Sequence, residues 1–356
     1  MVLLVNNSPL SDTPRSLNWL YNQYPSLKDG AKQLAGTEPK QIHSSGSLFV
    51  SAREYAVTHS QDSKLSVVGT DNLINNTAII IRNSGTGALL FAHVDRMSED
   101  DLSTMLEKLG HTTGKLQLHL VGGFADTKNV SESLLSPVLS ILHRSSHNLD
   151  LVTCCIGEAC TVMRGGAPWP LLYGVGVYVK NGLMFPASFL DRGPDLDLRL
   201  ARTLTGGEGV GMLDIYSPER EELRIGPFSY LPMRSVDIWL GQSDDFILQS
   251  LTPCPEVVTD REGFVRQVRD TLRIVKSHPY PSVTLFQSNS PRTYRKDELS
   301  GHWIPSNNSS FWSLPFPMQC ATKPEPQIPF QDDLCLNFKQ ESFLAWQGFQ
   351  EPQVYY

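Results

Sequence analysis

The chain has 356 residues, 37 acidic against 30 basic, for a net charge of −7, with 40% hydrophobic and 19% charged residues. These values fit a globular protein with a large core and one or two domains. No basic patch interleaved with aromatics occurs, and no apolar run approaches the ~20 residues of a membrane helix, so nucleic acid and membrane are set aside as partners.

The opening stretch, MVLLVNNSPLSD, lacks the charged start and the length of a signal peptide. Strand-like runs follow in SLFVSA, EYAVT and KLSVVG, and then in TAIIIR and ALLFAHVD, two apolar runs joined by the turn-rich NSGTG. DDLSTMLEKLG opens with acids and ends at Gly110, which predicts a helix. KLQLHLVGGF reads as a strand, and SESLLSPVLSILHR as a helix that Pro137 kinks or delays. LDLVTCC and LLYGVGVYV read as strands. DLDLRLARTLTGG reads as a helix that begins with acids after Pro194 and stops at Gly206-Gly207. LRIGPFSYLP is a strand ending in a turn, and VDIWLG another strand. EGFVRQVRDTLRIVKSHP is a helix with Phe264, Val268, Leu272 and Val275 on one stripe.

Strands outnumber helices and do not alternate with them regularly. The fold class expected is therefore α+β with extensive antiparallel pairing. Beyond about residue 305 the chain turns proline-rich and polar, and residues 306–356 are expected to form a disordered or loosely docked tail. Its aromatic patches offer either a partner site or loosely docked side chains.

The cysteines stand at 154, 155, 160, 254, 320 and 335, with no CxxC pair. Reduced thiols are the reading, in the cytoplasm and possibly the nucleus, with neither metal nor organic cofactor implied. Among titratable residues, His93 and Asp95 lie two apart at the end of an apolar run, so an extended chain points both the same way. His93 is then a general base with Asp95 orienting it, or else a surface histidine at a strand end. His119, flanked by leucines, reads as a core or pleat-surface residue. Asp191, Arg192, Asp195, Asp197, Arg199 and Arg202 either bolt a loop onto a helix start or supply a substrate-binding arginine.

Several segments together resemble the protein N-terminal asparagine amidohydrolase family. They are LHLVGGF (118–124), LVTCC (151–155), LYGVGVYV (172–179), ASFLDRGPDLDLRLARTLTGG (187–207), LRIGPFSY (223–230), VDIWL (236–240) and KSHPYPSVTLF (276–286). The spacing from Gly69-Thr70-Asp71 to His93-Val94-Asp95 belongs to the same resemblance, which spans about residues 1–305 as one domain. It implies an α-β-β sandwich with mixed, largely antiparallel sheets. It also implies a cysteine nucleophile served by a histidine. A thiolate attacks the side-chain amide of an N-terminal asparagine, ammonia leaves, and water hydrolyses the thioester to aspartate, feeding the N-degron pathway. The partners implied are protein or peptide N-termini beginning with Asn, taken up by a monomer.

The family's cysteine lies five residues after the aspartate of its Gly-Ser/Thr-Asp motif. In this chain that position is Asn76, a side chain with no thiolate to offer. No cysteine occurs between Met1 and Thr153. Thr77 and Cys155 are the alternative nucleophiles, and Asn76 orienting a water for His93 is a third route. Thr70 and Asp71 are candidate substrate-binding residues: oxyanion donors are placed in a tight turn at 69–71, and Asp71 or Asp95 holds the substrate's α-ammonium group. A homologue that binds Asn-initiated chains without turnover is the alternative to an active deamidase.

Overall fold

The strand Thr77–Asn83 sets the architecture because both of its faces are buried. Ile79 and Ile81 pack with Leu102, Leu106 and Leu139 from helices, while Ala78 and Ile80 pack with Val68, Val175 and Val177 from a second sheet. A strand covered on both sides has no face to leave polar, and hence the run AIII is unbroken. A computed structural model describes residues 3–10, 12–14, 16–110, 113–205, 211–230 and 232–306. The expected tail therefore lies outside the described residues from 307 onward, as do Gly206 and Gly207.

The central sheet has eight strands in the order Leu213–Asp214, Glu54–Thr58, Leu89–Val94, Thr77–Asn83, Leu116–Phe124, Leu149–Gly157, Leu3–Val5 and Ser8–Pro9. Pairing is antiparallel from Glu54–Thr58 through Leu116–Phe124, then parallel to Leu149–Gly157 and Leu3–Val5. One face carries the helices Leu17–Gln23, Glu99–Leu109 and Val130–His143. The other packs on a five-stranded sheet of Lys40–Ile42, Met184–Phe189, Val175–Tyr178, Val67–Thr70 and Ser47–Phe49. The result is the α-β-β sandwich that the resemblance implies. Pro137 sits inside the helix Val130–His143 and does not delay its start.

Beside the sandwich stand a four-stranded sheet ending at Trp303–Pro305 and a group of helices with its own core. That group corrects one expectation: VDIWL is the helix Val236–Leu240, not a strand. Val236 and Trp239 are buried while Ile238 is 57% exposed, an i, i+3 pattern that period-two alternation does not give. A five-residue apolar run is too short for sequence periodicity to make that distinction.

Helix Leu196–Leu204 is bolted to the central sheet by charge. Arg199 donates from Nε and Nη2 to Glu54 at 3.0 and 2.6 Å, and both side chains are almost fully buried. The remaining guanidinium N–H groups reach the Phe49 and Arg192 carbonyls at 2.8 Å. Arg202 donates to the Arg53 and Gly211 carbonyls. Every donor has an acceptor, the condition under which a buried ion pair holds its geometry.

Candidate active site

The site forms where the paired strands Thr77–Asn83 and Leu89–Val94 meet the end of Val67–Thr70. Ala78 lies opposite His93, and Thr77 opposite Val94. Side chains alternate, so Asn76, two residues before Ala78, shares the face of His93. The Asn76 carboxamide nitrogen lies 3.1 Å from His93 Nε2, and the Thr70 hydroxyl lies 2.7 Å from Nδ1. With the amide donating, Nε2 holds the lone pair and Nδ1–H is donated to Thr70. His93 is only 4% exposed, so it is not a surface residue. Burial pulls its pKa down to about 4 against the opposing pull of Asp95 and Glu54. At neutral pH the ring is an uncharged imidazole.

Asp95 lies on the same cleft as His93, but its carboxylate is gripped by Arg53 and does not meet the ring. Arg53 Nε donates at 2.9 and 3.1 Å and Nη2 at 2.7 Å, and the Arg96 N–H adds a bond of 2.7 Å. Burial raises the Asp95 pKa, and the bonds and charge of Arg53 more than reverse this, holding it below the usual carboxylate range. The contact at Nδ1 belongs to Thr70, read from sequence as substrate-binding. Two-residue spacing predicts a shared side. It says nothing of which neighbour arrives from another strand.

Asp71 is held differently. Its Oδ2 accepts from Arg192 at 3.1 and 3.3 Å and from the Phe189 N–H at 3.3 Å. Its Oδ1 is buried with no hydrogen-bond partner among the described residues. Burial lifts the Asp71 pKa above the ordinary carboxylate value, with Arg192 and the Phe189 N–H opposing. An orphaned buried carboxylate oxygen costs free energy unless a donor arrives.

The tight turn expected at 69–71 is instead a strand, Val67–Thr70, with Gly69 opposite Gly176. A Cβ at Gly69 would come within 2.4 Å of the Val175 carbonyl oxygen, so the close sheet crossing requires glycine there. The chain turns only afterwards, at Asn72, with φ of 60°.

Neither alternative nucleophile reaches His93. Thr77 points to the opposite face from Asn76, and a Cβ on Gly123 would lie 3.3 Å from its hydroxyl. Cys155 pairs with Val121, Val121 with Ala78, and Ala78 with His93. It therefore lies three strand spacings from the histidine, ~14 Å at ~4.8 Å each. Its sulfur points to the Ala159 carbonyl at 3.5 Å, and a hydrogen bond with Cys160, together with burial, pushes the thiol's pKa up. His119 meets Thr153 at 3.0 Å, away from this site.

Sequence reasoning missed Asn75 and Arg53. Asn75 donates to Ser131 at 2.9 Å and Asp126 at 3.4 Å, tying the segment that carries Asn76 to the start of helix Val130–His143. Arg53, fully buried, gave no signal beyond an arginine inside an apolar stretch. Asp71, Asn76, His93, Asp95 and Arg192 open into one cleft of about 350 Å³. Among the described residues no group of three or more His, Cys, Asp or Glu side chains is placed to hold a metal ion. Nor is any helix there long and apolar enough to cross a membrane.

This arrangement can accept a cation at Asp71 and a carboxamide beside Asn76 and His93, but it presents no thiol. A family model described as protein N-terminal asparagine amidohydrolase matches residues 37–305. A protein of that name from Homo sapiens is 36% identical over 296 residues, 82% of this chain and 94% of the relative. One from Mus musculus is 35% identical over 309 residues, 85% of this chain and 97% of the relative. One from Arabidopsis thaliana is 26% identical over 284 residues, covering 72% and 80%.

Proposed function

The chain belongs to the protein N-terminal asparagine amidohydrolase family, and on that premise we propose that its ligand is a polypeptide beginning with asparagine and bearing a free α-ammonium group. The observation that carries this reading is the unpartnered Oδ1 of Asp71, buried in the same cleft as Asn76 and His93. An α-ammonium group there supplies the missing donor and a compensating charge. Asp95 is the poorer clamp, since Arg53 already occupies both of its oxygens. The terminal asparagine's own amide then lies beside Asn76 and His93.

The family reaction at such a site is hydrolysis of that amide to aspartate, the product expected to enter the N-degron pathway. We infer that in this chain docking outlasts turnover. The lone pair of an amide nitrogen is delocalised, so Asn76 is no nucleophile. It also covers Nε2 of His93, whose low proton affinity makes it a weak base. The covalent route therefore lacks its first step.

A second reading, slow direct hydrolysis, is favoured by the neutral imidazole. Its Nε2 would take a proton from water as the oxygen attacks the amide carbon, then return it to departing ammonia. Calorimetry and ammonia release on one Asn-initiated peptide test both readings. The expected result is saturable binding with ammonia at the background rate, and loss of binding when the peptide is N-acetylated. Binding that ignores acetylation would overturn the reading.

A further inference from the structure

We infer that the same cleft carries a second subsite, for the side chain that follows the terminal asparagine, and that this subsite takes an aliphatic or aromatic group. The inference rests on the cleft being the Asn-terminus site proposed above.

At about 350 Å³, the cleft is in the range of pockets that enclose drug-sized ligands, more than one asparagine side chain fills. The excess lies away from Asp71 and His93, between helices Leu196–Leu204 and Arg261–Ser277. Where these helices meet, Leu204 and Val268 are buried in a shared core. One turn back on each helix, four residues earlier, Leu200 and Phe264 line the cleft and are only partly buried. The apolar stripe of the packed core thus runs on into open space. Val258 adds a third side, and Ile74 joins the groove to Asn76, two residues on.

The polar groups on these walls are already engaged. The Thr203 hydroxyl donates to the Leu200 carbonyl at 2.9 Å, and the Thr271 hydroxyl to the Gln267 carbonyl at 2.8 Å. The Gln267 amide donates to Asp197. These side chains therefore turn mainly methyl and methylene groups toward an occupant. A polar second residue entering here loses water and gains few bonds, whereas a leucine side chain buries apolar area against both helices.

The test is calorimetric titration of the full chain with peptides identical except at their start: Asn-Leu, Asn-Gly, Asn-Asp and acetyl-Asn-Leu. Asn-Leu is expected to bind about tenfold more tightly than Asn-Gly, with Asn-Asp no tighter than Asn-Gly. In Leu200→Asn, or in Phe264→Ala should the first variant not fold, the Asn-Leu to Asn-Gly ratio is expected to fall toward one. Equal affinity for all three free peptides would overturn the subsite and leave the Asn-terminus reading standing. Acetyl-Asn-Leu binding as tightly as Asn-Leu would remove that reading and the subsite with it.

Discussion

Replacing Asn76 with cysteine puts a thiol where the carboxamide now meets the imidazole. The present contact is 3.1 Å. Sulfur takes the place of Cγ, one bond nearer the backbone, so adding ~1.3 Å bounds the S–Nε2 distance at about 4.4 Å, and a small χ1 adjustment brings it to about 4 Å. At that separation a thiolate and an imidazolium attract by about 4 kcal/mol at an effective dielectric of 20. This corresponds to a shift of about 3 pKa units. Burial now holds His93 at about 4, so the new charge would return it close to neutrality, where it can take and return a proton. Ammonia release from an Asn-initiated peptide is expected to rise at least ~1000-fold over the wild type, about 4 kcal/mol of barrier. A coupled ammonia assay reads the rate and intact mass confirms conversion to aspartate. Adding His93→Ala should abolish the gain. A folded Asn76→Cys protein that binds the peptide yet releases no ammonia above wild type would refute the argument, and so would a wild type already running at that rate.

Asp71→Asn is expected to weaken binding of Asn-initiated peptides by about 30-fold, the worth of a charged hydrogen bond. Stability should change by less than ~1 kcal/mol, because the partner Arg192 is 42% exposed; unchanged affinity by calorimetry would place the α-ammonium group elsewhere. Glu54→Gln leaves the buried Arg199 guanidinium without its counter-charge. It is expected to lower unfolding free energy by about 3–5 kcal/mol in urea titrations, and a loss under ~1 kcal/mol would contradict the bolt. For acid stability, the folded pKa of His93, about 4, lies below its unfolded value of about 6.5. The unfolded chain therefore takes the proton first. Stability is intact above pH ~6.5 and falls by up to ~3 kcal/mol as pH drops toward ~4. His119, lowered to about 4 by burial, adds a parallel loss. His93→Gln should flatten this acid limb in urea unfolding followed across pH; an unchanged slope would count against a buried neutral His93.

What the sequence disclosed and what it withheld follow from the range of the interactions involved. Thr77–Asn83 was legible because burial on both faces leaves an unbroken apolar run. Glu99–Leu109 was legible from its acidic start and its Gly110 stop. VDIWL was not, because five residues do not separate two periods. Helices Leu17–Gln23 and Ser26–Ala35 also went unread, being short and flanked by proline and serine. At the site, the approach of Asn76 to His93 could be anticipated from the family spacing. The division of labour between Asp71 and Asp95 could not. It depends on Arg192, 121 residues beyond Asp71, and on Arg53, 42 residues before Asp95. Partners so far apart along the chain leave no local pattern, only a charge whose mate is undetermined.

The bolt between Glu54 and Arg199 joins two stretches that do different work. Chemistry is confined to a short early segment, while the walls come from helices more than a hundred residues later. A graft of the later stretch between relatives should therefore transplant appetite for particular termini without disturbing bond-making atoms, provided the incoming helix brings an arginine to meet Glu54. Reactivity and selectivity in this protein are separately heritable, with that one buried handshake as the condition of exchange.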